Sequence, residues 1–250
     1  MKFLVIDTGR FVVLITSSEE TMVNSARSNE LNRASSRASA QWIAFLVVAA
    51  PFYLNDFSSI FVKDWRLWLF IDYTSVKLFP LLVIVWLMRR KFAAPADFGL
   101  TVQRAGSFIA VFAAMTFIGT VIDQNLLPFL KQIFGGTAIG GMPDITSPVW
   151  NNIDLTFGLL LVGVMEELVF RGMMHMVLRR QTQSAAAIIA VSSIAFGLIH
   201  WSGGFHAIIN ATVIGAVFMI FYLRTRSTPA LMLAHFTIDF IAFSGVIPKT

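Results

Sequence analysis

From residue 41 onward, apolar runs long enough to cross a hydrocarbon core of roughly 30 Å recur between short polar breaks. Within lipid the backbone must satisfy its own hydrogen bonds inside each segment, so runs of this length select the helix. Their spacing predicts seven helices, near Gln41–Val62, Leu67–Met88, Gly106–Asp123, Ile153–Leu178, Ser184–Trp201, Phe205–Leu223 and Thr228–Ser244. An eighth is added if Asn125–Phe134, apolar at Leu126, Leu127, Phe129, Leu130 and Phe134, packs as an interfacial piece of its own. Pro143 and Asp144 fall in the longest connection. The expected fold is all-α, a polytopic membrane bundle of seven or eight helices around a polar intramembrane cavity.

Composition supports the same solvent. The chain is 56% hydrophobic and 13% charged, with a mean hydropathy of +0.73, well outside the range of soluble domains. A net charge of +5 could point to nucleic acid, but the Lys and Arg residues sit between apolar runs rather than along one helix face, so no nucleic-acid partner is expected. They read as topology signals. Arg89, Arg90, Lys91, Arg104, Arg179, Arg180, Arg224 and Arg226, together with Arg27, Arg33 and Arg37, fall on one side of seven crossings, against Lys63, Arg66, Lys131 and Lys249 on the other. The rule that cytoplasmic connections collect positive charge then puts the N-terminus in the cytoplasm. With no cysteine there is no disulfide, thiolate zinc site or cysteine nucleophile.

Residues 1–40 differ from the membrane domain expected over 41–250. Met1–Ile15 is apolar but broken by Asp7, Gly9 and Arg10, and reads as a short strand, an interfacial segment or a misplaced start. Ser17–Ala40, rich in Ser, Asn, Glu and Arg, reads as a flexible tail.

Against this apolar background, three helices carry ionisable groups where lipid should be. A charged side chain at bilayer depth costs on the order of 3 kcal/mol, so such groups face a partner, a cavity or a substrate. Glu167 and Arg171 are four residues apart with the acid first, the arrangement that forms an ion pair along one helix face. Glu166 points about 100° away and is left outside that bridge. A poorly solvated carboxylate holds its proton more tightly than one in water, which suits a base working near neutral pH. Glu166 is therefore the expected base, with Glu167 and Arg171 as scaffold; the competing reading makes all three a packing network. Phe196 and His200 share a helix face, as do His235 and Asp239. Each histidine could bind a metal, donate to an oxyanion, or merely bond a neighbouring helix.

These segments resemble the CAAX prenyl endopeptidase type II and bacteriocin-processing (CPBP, or Abi) family of intramembrane proteases. The resemblance rests on E-E-x-x-x-R at Glu166, Glu167 and Arg171, F-x-x-x-H at Phe196 and His200, and H-x-x-x-N/D at His235 and Asp239, in the family's order, over about residues 153–246. It implies hydrolysis of a membrane-associated protein or peptide without an acyl-enzyme. Glu166 and His200 would activate water; His235 and Asp239 would stabilise the oxyanion, with Glu167, Arg171 and Phe196 in support. Prenyl endopeptidases typically carry Asn where this chain has Asp239, whereas many bacterial relatives carry Asp. An ionised Asp only accepts hydrogen bonds, so Asp239 must be protonated, orient His235, or bind a metal. No cofactor is required on this resemblance; a divalent ion such as zinc, held by His200, His235 and a carboxylate of Glu166 or Asp239, is the other mechanism the residue types allow. Outside this class stand a non-catalytic scaffold or bacteriocin-immunity-type protein of the same fold, and a transporter with a buried proton relay, which lacks the internal repeat expected of one.

Depth provides a check. At about 1.5 Å per residue, Glu166 lies roughly 20 Å from the outer start of its helix and His235 roughly 10 Å from the inner start of its own, levels that agree in a core of about 30 Å. His200 would lie roughly 24 Å from an inner start at Ser184, so its helix must tilt or begin above the membrane, with Trp201–Gly204 bordering the cavity. Among the remaining polar residues, His206 and Asn210 share a face suited to interhelical bonding. His175 is expected at the solvated interface. Asp72 and Lys77 are expected to neutralise one another or to meet the first helix, and Asp123, Asp144 and Asp154 to be loop or interfacial acids.

Overall fold

The computed structural model describes residues 17–101 and 103–246. Met1–Ile15 and Lys249, and the roles assigned to them, lie outside the described residues. The chain divides between Ile43 and Ala44 into two units. All elements among the described residues are helical. In order they are α1 (Ser17–Phe61), α2 (Trp65–Arg89), α3 (Ala105–Phe134), α4 (residues 148–178), α5 (Ala185–Leu198), α6 (Phe205–Thr225) and α7 (Pro229–Ser244). Short 3₁₀ turns stand at Pro95–Phe98 and Trp201–Gly203.

Local chemistry sets the ends of these helices. The Asp64 carboxylate accepts from the N–H groups of Arg66 and Leu67 (2.9 and 3.0 Å) and starts α2, and the Ser184 hydroxyl accepts from Ala187 (3.3 Å) and starts α5. Pro148 and Pro229 occupy first helical positions, where the missing N–H costs nothing. The segment Ser17–Ala40 is helical backbone. It contains no Gly or Pro, so nothing in it interrupts a helix. α3 continues through Asp123 and Pro128 to Phe134, absorbing the separate piece expected at Asn125–Phe134. The polar run that looked like a bilayer exit stays helical because Asp123 is bonded across to α6, as described below.

Four stretches are long and apolar enough to cross a membrane: Ala38–Phe61, Trp65–Arg89, Ala105–Phe134 and Phe205–Thr225. The protein is an integral membrane protein, and Phe70, Leu82, Ile109 and Phe117 present their side chains outward. α5 and α7 are apolar but shorter, about 21 and 24 Å long, and do not fill a core of about 30 Å. α3 packs on α6 and α7, α5 on α6, and α4 on α7. Gly163 permits the last contact: a Cβ there would stand 3.0 Å from Met232 O and 3.1 Å from Phe236 N.

Two connections are recessed into the bundle. Phe98, fully buried in its 3₁₀ turn, lies on Gly172 of α4, where a Cβ would come 2.7 Å from its carbonyl oxygen. Thr228, the residue before α7, donates its N–H to Gly99 O (2.8 Å) and its hydroxyl to Phe98 O (3.2 Å). α7 therefore begins level with Gly172 rather than at the end of α4. Glu166 is then about 9 Å from Gly172 and His235 about 10 Å from Thr228, so the two reach one level. His200 lies about 22 Å from the start of α5 and Glu166 about 18 Å from the adjoining end of α4, a gap of less than one turn.

A second polar cluster braces α1, α2 and α4. Lys77 pairs with Asp72 and lies 3.7 Å from Asp154, and Asn55 of α1 donates to Asp72 (2.9 Å). The mutual neutralisation expected of Asp72 and Lys77 is present, as is the contact with the first helix. Asp154 is not a loop acid but part of this cluster, drawn in by the lysine.

Candidate active site

Glu166 and Glu167 sit where α4 widens into a π-helical turn, Leu168–Met173, a deformation often found beside functional groups. Glu167 is fully buried. Its Oε2 stands 3.2 Å from Arg171 Nε, forming the ion pair that the spacing predicts. The other oxygen, Oε1, accepts a hydrogen bond from His235 Nδ1 at 2.8 Å, which the spacing could not show because it joins α4 to α7. That bond puts a proton on Nδ1 and turns Nε2 toward the remaining acids: Glu166 Oε2 and Asp239 Oδ2 each lie 3.5 Å from it. One imidazole thus meets three carboxylates.

Aromatic rings close the apolar side of this cluster. The Arg171 guanidinium lies 4.1 Å above the centre of Phe196 and 5.2 Å from that of Phe218, and its terminal nitrogens have no hydrogen-bond partner. A desolvated cation over a ring face gains about 2 kcal/mol. The Phe196 ring is also edge-on to His200 (5.3 Å between centroids) and to His235 (6.0 Å). His200 is close enough to His235 and Arg171 for their charges to act on it. Glu166, Glu167, Arg171, Phe196, His235 and Asp239 are therefore brought together, with His200 joined to them through Phe196. No hydrogen bond links Glu166 to His200; the nearest imidazole nitrogen in an ion-pair contact with Glu166 belongs to His235.

The turn carrying His200 is anchored from elsewhere. Ser202 N–H donates to Asp56 Oδ2 (2.8 Å) and Trp201 Nε1 to Tyr53 O (2.9 Å), tying it to α1, and the Tyr53 hydroxyl donates to Ala195 O of α5 (2.9 Å). Ser202 O in turn accepts from Ile139 and Gly140 N–H (2.7 and 3.0 Å) in the long connection before α4. Asp56 has a signal that went unread, being a carboxylate inside an apolar helix. Phe218 has none, since one phenylalanine in an apolar helix looks like any other.

Residues beyond the motifs divide. Asn210 donates to Asp123 (3.1 Å), so the interhelical bond expected of Asn210 is made and Asp123 is a helix residue rather than a loop acid. Asp144 is exposed in the connection between α3 and α4, as expected. His175 is not solvated: it is buried against Arg226 and the Tyr222 ring (5.3 Å), because the chain past α6 folds over it. Among the described residues no group of three or more His, Asp or Glu side chains is arranged to hold a metal ion.

Residues 148–241 match the family described as Type II CAAX prenyl endopeptidase Rce1-like. The match begins at the first residue of α4, ends within α7, and contains every residue of the three motifs. No curated protein and no solved structure matches the chain.

Proposed function

We propose, on the match of residues 148–241 to the family described as Type II CAAX prenyl endopeptidase Rce1-like, that this protein is an intramembrane endopeptidase that hydrolyses peptide bonds with water activated by Glu166 and an imidazole. The observation that carries the reading is His235, set between Glu167 at Nδ1 and Glu166 and Asp239 at Nε2. Glu167 fixes the ring and its tautomer, the role an orienting acid plays beside a catalytic imidazole. A water held between Glu166 and His235 Nε2 gives its proton to Glu166 as its oxygen attacks the substrate carbonyl carbon. The carbonyl oxygen becomes an oxyanion met by His200 and protonated His235. Glu166 then passes the proton to the leaving amine as the C–N bond breaks, releasing an amine and a carboxylic acid, which ionises in water.

Asp239 is assigned to orienting His235, since an ionised Asp cannot donate to the oxyanion. This brings His235 to the water as well as to the oxyanion, and moves His200, which the resemblance implies activates water with Glu166, to the oxyanion side. The reading uses no metal. The substrate is a membrane-associated protein or peptide, and the N-terminus is cytoplasmic on the distribution of Lys and Arg.

The test is cleavage of membrane peptides, with and without a prenylated cysteine, by detergent-solubilised wild type and Glu166→Ala, each with and without a chelator. Cleavage by wild type in both conditions and none by Glu166→Ala is expected. Equal cleavage by the variant removes Glu166 as base, and loss on chelation moves the mechanism to a bound metal. Folded wild type that cleaves none of the peptides supports the non-catalytic scaffold.

A further inference from the structure

Hydrolysis inside a membrane needs a route for water, and the seam between α3, α6 and α7 has the chemistry of one. Thr116, Thr120 and Asp123 follow one face of α3 at i, i+4 and i+7. Gly119 sets the register: a Cβ there would meet Ile238 of α7 and lie 3.9 Å from Phe218 of α6. In the expected alternation of seven crossings α3 and α7 run in the same direction, which, from the Gly119–Ile238 contact, puts Thr120 level with Asp239 and Thr116 level with His235. Asp123, one turn nearer the long connection, accepts from Asn210 of α6 and interacts electrostatically with Asp239.

Three polar atoms along this line are buried without a partner. They are the Thr116 and Thr120 hydroxyls and Asn210 Oδ1, the last on a side chain only 6% exposed. Threonines elsewhere in the bundle behave differently: Thr212, Thr225 and Thr237 bond the carbonyl four residues back (2.7, 3.0 and 2.8 Å). The line ends at Glu166 Oε2, likewise buried without a hydrogen bond. Buried polar groups in folded proteins are satisfied by protein or by internal water, and a water needs two to four such groups around it.

We infer that this seam is a hydrated conduit, in which Asn210, Asp123, Thr120 and Thr116 pass the hydrolytic water from the long-connection end of the bundle to Glu166 and His235. Its role as a supply of reactant rests on the endopeptidase reading; its hydration does not.

The cysteine-free sequence makes the test clean. Thr116→Cys, Thr120→Cys and, on the lipid-facing side of the same helix, Phe117→Cys proteins are placed in vesicles and exposed to silver ion, which travels through water but not lipid. They are then unfolded and labelled with a fluorescent maleimide. Loss of label at 116 and 120, with label kept at 117, is the expected result. Equal retention at all three overturns the conduit. Valine keeps the shape of threonine without its hydroxyl, so Thr116→Val/Thr120→Val reads the same line if a cysteine variant fails to fold: its kcat should fall about tenfold with KM unchanged. An unchanged kcat overturns the conduit as the water supply. Silver reaching both thiols while folded wild type cleaves no peptide sinks the endopeptidase reading and leaves the hydrated seam standing.

Discussion

Glu167 joins the ion pair with Arg171 to the hydrogen bond with His235. Removing its charge leaves the Arg171 guanidinium buried among Phe196 and Phe218 without its ion-pair partner. Breaking a buried pair in this way costs about 3–5 kcal/mol. Glu167→Gln should therefore lower the thermal unfolding midpoint in detergent sharply, and a variant as stable as wild type would contradict the division of roles between the two acids. Phe196→Leu should cost about 1–2 kcal/mol through loss of the ring beneath the guanidinium, read in the same measurement. The Glu167–Arg171 pair was legible in the sequence because i, i+4 spacing is local. The bond to His235 was not, because spacing within one helix carries no information about which side chain of another helix meets it.

At the scale of elements, the short helix α5 and the turn after it decide where His200 sits. α1 holds that turn through Asp56, Tyr53 and the Trp201 indole, and α1 lies outside the matched residues. Asp56→Ala leaves the Ser202 N–H without its acceptor, a cost of about 1–3 kcal/mol. We expect cleavage to fall about tenfold as His200 loses its position, while Asp56→Asn, which keeps an acceptor oxygen, retains most of the activity. Equal rates for Asp56→Ala and wild type would show that the anchor does not position His200. Helix order and type were legible from hydropathy over residues 41–246. Helix lengths were less so, because Asp123 reads as an exit from lipid until its partner Asn210 is known. The depth of His200 was illegible in the same way: counting from helix ends assumes that all helices start at one level, whereas Thr228 at the start of α7 is tucked against Phe98 and Gly99.

For the molecule as a whole, the Lys and Arg distribution predicts a cytoplasmic N-terminus and, with seven crossings, a C-terminus on the opposite face. Reporter fusions at the two ends should give opposite responses; the same response would require an even number of crossings and a new account of α5 or α7. The central claim is that Glu166 on α4 and His235 on α7 act as one hydrolytic unit. It is tested most directly by a double-mutant cycle on peptide cleavage with Glu166→Gln, His235→Ala and the double variant, each confirmed as folded by gel filtration. Groups that act together are strongly non-additive, so each single variant should lose about 10²–10⁴-fold in kcat and the double variant little more. Losses that multiply in the double variant would mean that the two residues work independently, and would contradict the account.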